Sequence, residues 1–218
     1  MKHFCLSICI ISLVLQLQSQ NKITFKSIND LELGNSKDDI KGIFFDETDT
    51  VSTEMNAYKR YKIRKYSYKT TTGESILIAG VPFAYTSLEF AFDATLARIY
   101  FSARLTKDSV LYNIDSSEAY RIRLIKFIDD ALATKSKFIK DVTSGPITAV
   151  SLTNEWKKDE RNYDGKTHLH DRGNLYELMV DVSSILTEKK KVKEIWISVS
   201  LTNHKYYLEE YINGKLRE

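Results

Sequence analysis

Thr86–Ser87–Leu88–Glu89–Phe90–Ala91–Phe92–Asp93–Ala94–Thr95–Leu96–Ala97–Arg98–Ile99–Tyr100–Phe101–Ser102–Ala103–Arg104–Leu105 is the stretch that decides the fold. Leu88, Phe90 and Phe92 alternate with Glu89, Ala91 and Asp93. The same period of two continues through Ile99, Phe101 and Ala103, so one face of each segment is apolar. Asp93–Ala94–Thr95 supplies a tight turn between them. The pattern reads as neighbouring antiparallel strands of a meander.

Working outward, Lys62–Tyr68 also alternates, Thr70–Glu74 is a turn, and Ser75–Ala79 is a short apolar strand that Gly80–Val81–Pro82 breaks. Further upstream, Ser36 and Asp39 have the spacing of a capping box, with Asp38 and Asp39 in the first turn. Ile40, Ile43 and Phe44 then predict the apolar stripe of a short helix. Residues 46–56 are acidic and hydroxyl-rich, and read as a loop. Downstream, Ser116 or Ser117 caps a helix running from Glu118 to about Phe138. Its buried face is Tyr120, Leu124, Phe127, Ile128, Ala131 and Leu132, and Gly145–Pro146 stops it. Strands follow at Ile147–Trp156, Leu175–Ser183 and Glu194–Leu201. The tail from Tyr206 to Ile212 fits either a strand or a helix.

Helix then strands, twice over, predicts the α+β class: antiparallel sheet packed under two covering helices. Two arrangements stay open. One is a pair of tandem helix–β-meander units, residues 21–113 and 114–218; the other is one continuous sheet.

The first twenty residues have a different character. Met1–Lys2–His3 is a short basic start, Phe4–Leu17 is almost wholly apolar, and Gln18–Ser19–Gln20 is polar and small. That is the layout of a cleaved signal peptide over residues 1–20, and its apolar run is too short for a comfortable span. The expectation is a secreted or periplasmic protein with no stable membrane insertion after cleavage. Cys5 and Cys9, the 2 cysteines of the chain, both lie in this segment. The mature chain is therefore expected to fold without disulfides, and thiol chemistry is excluded. Loss of Lys2 lowers the formal net charge of +3 by one, too small a balance to argue for a nucleic-acid partner.

Leu31–Glu32–Leu33–Gly34–Asn35–Ser36–Lys37–Asp38–Asp39–Ile40 resembles the leucine–x–glycine–x–serine–lysine–acid–x–aliphatic opening of small periplasmic α+β domains. It is similar to the small-protein-A/outer-membrane-lipoprotein family, whose tandem relatives include a secreted β-lactamase inhibitor. The resemblance implies one or two helices against an antiparallel sheet, and action by binding other proteins. It brings no functional residue with it.

Two stretches carry candidate chemistry. Tyr58–Lys69 holds six basic residues, four tyrosines and no acid. On a strand, Lys62, Arg64, Tyr66 and Tyr68 share one face, where cations beside rings suit an anionic envelope component or an acidic protein surface. A solvated strand whose lysines discourage edge pairing is the plainer reading. The other stretch is Thr167–His168–Leu169–His170–Asp171. Two imidazoles two residues apart with an adjacent carboxylate have the makings of a zinc shell, which needs further ligands such as His204, Glu155, Asp159, Glu160 or Asp181. A polar loop that happens to hold two histidines is the plainer reading there, within a long charged segment from Trp156 to Asn174.

Counted from Asp46, the acidic loop places Val51 where an EF-hand needs glycine and Ala57 where it needs a bidentate acid. There is no phosphate-binding glycine loop, no Gly-x-Ser-x-Gly elbow and no His-Glu-x-x-His. The reading that follows is an exported, non-enzymatic binding protein of the bacterial cell envelope, of inhibitor, immunity or assembly-factor type, with no required cofactor. Its rivals are a metal-dependent hydrolase using His168 and His170, and a structural envelope component.

Overall fold

The computed structural model describes residues 22–44, 64–69, 75–106, 114–143, 148–160, 175–189 and 192–207. The signal segment, the acidic loop at 46–56, Lys62, His168, His170, Asp171 and the tail past Tyr207 lie outside the described residues.

Thirteen elements follow in order: β1 (Ser27–Ile28), β2 (Leu31–Glu32), β3 (Ile43–Phe44), β4 (Arg64–Tyr68), β5 (Ile76–Ile78), β6 (Val81–Phe83), β7 (Tyr85–Phe90), β8 (Leu96–Thr106), α1 (Ile114–Leu132), β9 (Lys137–Thr143), β10 (Thr148–Asp159), β11 (Leu175–Leu186) and β12 (Val192–Asn203). Eight strands form one antiparallel sheet in the order β3-β4-β7-β8-β12-β11-β10-β9, with β3 only two residues long. The two halves of the chain meet at β8 and β12, where Phe101 lies opposite Val199 and Ser102 opposite Ser198.

This corrects the predicted α+β class. Among the described residues the fold is mostly β, 60% strand against 17% helical, with one α-helix over the sheet instead of two. Ser36 does cap a turn, accepting from the Asp38 N–H at 3.4 Å, but the turn spans only Lys37–Asp39. Ile40 is already extended (φ −99°, ψ 116°) and Gly42 follows at φ +83°, a left-handed conformation that ends any helix. Ile43 and Phe44, predicted to be a helix stripe, instead pair with Tyr68 and Ser67. The helix implied at this place by the family resemblance is absent too.

The second helix also ends earlier than predicted. It stops at Leu132, with Ala133 at φ +50° and the Thr134 N–H bonded back to the Asp129 carbonyl at 3.2 Å, a Schellman-type ending without glycine. That frees Lys137–Thr143 to form β9, a strand absent from the sequence reading. Val81–Phe83, read as a break, is a strand as well. Ala79 and Gly80, at φ +51° and +75°, make the two-residue turn that folds it back on β5.

The core lies on one face of the sheet. Leu88, Ile99, Phe101, Leu178, Val180, Ile197, Val199 and Leu201 project into it from four strands and are fully buried. Three covers seal it: α1 through Leu124 and Ile128, the β5–β6 hairpin through Ile78, Val81 and Phe83, and the β1–β2 ribbon through Ile28 and Leu31. Burial of each such aliphatic side chain stabilises the fold by about 1.5–3 kcal/mol. Phe83 reaches Phe101 across this layer with ring centroids 6.2 Å apart.

Polar bonds fix where α1 sits. Asp129, almost wholly buried, accepts from Trp156 Nε1 on β10 at 2.8 Å and from the Ser136 N–H at 3.2 Å. One turn pair earlier, the Arg121 guanidinium donates twice to Glu118, at 2.8 and 2.6 Å, and once to Asn154 Oδ1 at 2.9 Å. Asn154 in turn donates to Ser136 Oγ at 2.8 Å. No helix among the described residues is long and apolar enough to cross a membrane.

Candidate functional site

Because side chains alternate along a strand, the face opposite the core is polar by the same pattern that made the core apolar. On β8 it presents Arg98, Tyr100, Ser102 and Arg104; on β12, Trp196, Ser198, Ser200 and Thr202; on β11, Glu177, Met179, Asp181 and Ser183; on β10, Ser151, Thr153, Glu155 and Lys157.

Two parts of this face satisfy themselves. Arg104 grips Glu194 through Nε at 2.5 Å and a second nitrogen at 2.9 Å, and lies over the Trp196 ring at 5.3 Å. Asp181 accepts from three hydroxyls: Ser151, Thr153 at 2.8 Å and Ser183 at 2.6 Å. An acid so occupied is a structural acceptor.

The third part is a cleft of about 230 Å³, lined by Arg98, Glu177, Met179, Ser200, Thr202, His204 and Tyr207. The last two come from a single 3₁₀ turn, His204–Tyr207, that follows β12 directly. Asn203 starts this turn by accepting the Lys205 N–H at 3.0 Å. The turn lays His204 against Glu177, their side chains hydrogen-bonded through Nε2 and Oε2. It also brings the Tyr207 hydroxyl within 2.8 Å of Glu89 on β7.

Charges in the cleft are held in pairs. Glu177 is bonded by His204 and by Lys157 at 3.2 Å, and the His204 bond is the main reason its carboxyl titrates below the ordinary carboxylate range. Glu89, 3% exposed, takes the Tyr207 hydroxyl on one oxygen and faces an Arg98 nitrogen at 3.5 Å with the other. Arg98 rests over Tyr100 at 5.4 Å, and its Nε is buried with no hydrogen-bond partner among the described residues. Ser87 Oγ, on neighbouring β7, is buried and unpartnered too. Buried polar atoms left unsatisfied are unusual in a folded interior. The cleft thus offers a guanidinium and hydroxyls as donors, with Met179 as an apolar wall.

The residues singled out from the sequence lie elsewhere. Arg64, Tyr66 and Tyr68 do share a face of β4, and it is the face turned toward the core. Tyr66 packs edge-on against Phe90 with centroids 5.5 Å apart, and Lys37 sits over its ring at 5.3 Å. Burial raises the Tyr68 phenol above its ordinary value. Arg64 is exposed at the start of the strand. Among the described residues no three His, Cys, Asp or Glu side chains gather as a metal shell. His204, considered as a further zinc ligand, is bonded to Glu177, which was not among the carboxylates weighed. Sequence reasoning missed the cleft because its residues come from positions 98, 177–179 and 200–207. The one local signal was the alternation through Ile99, Phe101 and Ala103, which puts Arg98 on the outward face.

No family model matches this chain, and neither a curated protein nor a solved structure matches it.

Proposed function

We propose that this chain is an exported, non-enzymatic binding protein of the bacterial cell envelope, and that the cleft on the open face of its sheet receives an anionic group of its partner. The partner is a protein with an acidic surface or an anionic envelope component. Export is supported by the basic, apolar, polar succession of residues 1–20.

The observation that carries the reading is the state of Arg98. Its guanidinium lines the cleft with the side chain 28% exposed, while among the described residues Glu89 meets it only at 3.5 Å. An incoming carboxylate or phosphate would complete it with charge-assisted bonds. Ser200, Thr202 and His204 supply further polar contacts around the same opening.

Capture from an envelope extract on the immobilised chain tests this, with Arg98→Ala and Arg64→Ala run in parallel. The expected result is a specific component lost with Arg98→Ala and kept with Arg64→Ala. Capture that is unchanged by Arg98→Ala, or no specific component at all, would count against the reading.

A further inference from the structure

Among the described residues the sheet ends at β9, an edge that carries apolar side chains beside its charges. All seven residues from Lys137 to Thr143 are exposed, among them Phe138, Ile139 and Val142. β9 pairs with β10 and, among the described residues, has no neighbour on its other side. Among the described residues Lys137, Lys140 and Asp141 have no ion-pair partner. A strand with one unpaired side and exposed apolar groups is a template for another strand, and Arg121 covers only one face of the Phe138 ring, at 5.4 Å.

The sequence of β9 says which strand fits. We infer that β9 pairs antiparallel with β9 of a second copy of this chain, with Ile139 opposite its own counterpart on a two-fold axis. In that register Lys137 lies opposite the partner's Asp141, and Phe138 lies opposite the partner's Lys140. By symmetry each of those contacts occurs twice. Alternation keeps the faces consistent. Lys137, Ile139 and Asp141 share the polar face of the sheet, whereas Phe138 and Lys140 share the helix side.

Every opposed pair in this register is attractive. Directly opposite residues stand about 4.5–5.5 Å apart, close enough for ion pairs, apolar contact and a cation over a ring. Residues of like parity face each other, as the antiparallel ladder requires, so the bonding groups on the two edges coincide. Sliding the partner strand by two residues toward either end loses both Lys137–Asp141 pairs: one slide sets Lys140 against its own counterpart and Asp141 against Ile139, and the other sets Lys137 against Ile139. A two-fold contact is also closed, so it ends the sheet instead of propagating it into a fibre. The axis is perpendicular to the sheet, which places both clefts on one face of a sixteen-stranded assembly and makes the pair bivalent.

Sedimentation velocity of the full chain over a wide concentration series tests this, with circular dichroism confirming that each variant is folded. Wild type is expected to dimerise. Lys137→Asp alone and Asp141→Lys alone each turn two attractive pairs into like-charge pairs, and each should weaken dimerisation about tenfold or more. The double substitution restores both pairs and the dimer. An equimolar mixture of the two single variants should dimerise as well, although neither does so alone. Ile139→Lys sets like charges on the axis and is an independent disruption. A wild type that stays monomeric at every concentration would overturn the inference, as would a dimer indifferent to the single changes or a mixture that fails to associate. An edge reserved for a different protein would give the first of these results.

Discussion

The indole N–H of Trp156 donates to Asp129 Oδ1 at 2.8 Å, tying the last turns of α1 to the middle of β10. Trp156 is 1% exposed, so its donor has no route to water. Asp129→Ala leaves that N–H buried without an acceptor, and about 1–3 kcal/mol of stability should be lost in urea unfolding. Asp129→Asn keeps an acceptor and should fall by less. The two losses would be equal only if the bond were incidental.

Glu177 carries the acid dependence of the cleft. The folded-state pKa of Glu177 lies below its ordinary value of 4.5, chiefly through the His204 hydrogen bond, with Lys157 adding to it. A depressed carboxyl contributes stability that is complete above its unfolded pKa and is lost as pH falls through the folded one. Denaturation midpoints should therefore drop below about pH 4.5. Glu177→Gln should flatten that acid limb and cost about 1 kcal/mol at neutral pH. An unchanged acid limb in this variant would show that the pair does not form in solution.

Tyr206 sets the alkaline limit. It is buried beside Ala91 and Ala97, and burial with the nearby Asp93 charge pushes its phenol from 10.0 up to about 12. The folded state favours the protonated form, so the associated stability is complete below pH 10 and disappears as pH rises through 12. Spectrophotometric titration should show one tyrosine ionising near 12 or with unfolding. In Tyr206→Phe that late step should be missing.

Gly42 occupies a position closed to any side chain. Its φ is +83°, and a Cβ there would stand 2.2 Å from the Lys69 carbonyl oxygen. The Gly42 carbonyl also accepts the Lys69 N–H at 3.1 Å, which holds β3 on β4. Gly42→Ala should cost about 1–3 kcal/mol and raise amide exchange at Tyr68 and Lys69. Wild-type exchange in the variant would contradict this geometry.

The strands were legible where alternation was long and one-sided. Leu96–Leu105 and Glu194–Leu201 were read within a few residues, because each buries one face completely and leaves the other polar. Helix α1 was legible from Leu124 and Ile128, which repeat at four-residue spacing. The misread segments are those where local chemistry points one way and packing another. Ser36 and Asp39 carry a helix-capping pattern, but Ile43 and Phe44 gain more by pairing with β4 than by extending an isolated turn. Phe138 fits the period of the preceding helix, and nothing in its neighbours announces that Ala133 turns left-handed five residues earlier. The cleft was illegible for a different reason: Glu89, Arg98, Glu177 and His204 meet only after β7, β8, β12 and β11 are placed side by side. The tyrosine–lysine strand stood out by composition, yet composition does not say which face meets the core.

On the reading proposed above, the polar face around Arg98, and not the basic strand β4, meets the partner. Hydroxyl-radical footprinting of the chain, free and bound to the component it captures, measures this directly, since Met179, His204 and Tyr207 are oxidisable side chains in the cleft. Binding should slow the oxidation of these three and leave Tyr66 and Tyr68 unchanged. Protection of Tyr66 and Tyr68 with no change at Met179, His204 and Tyr207 would contradict the account.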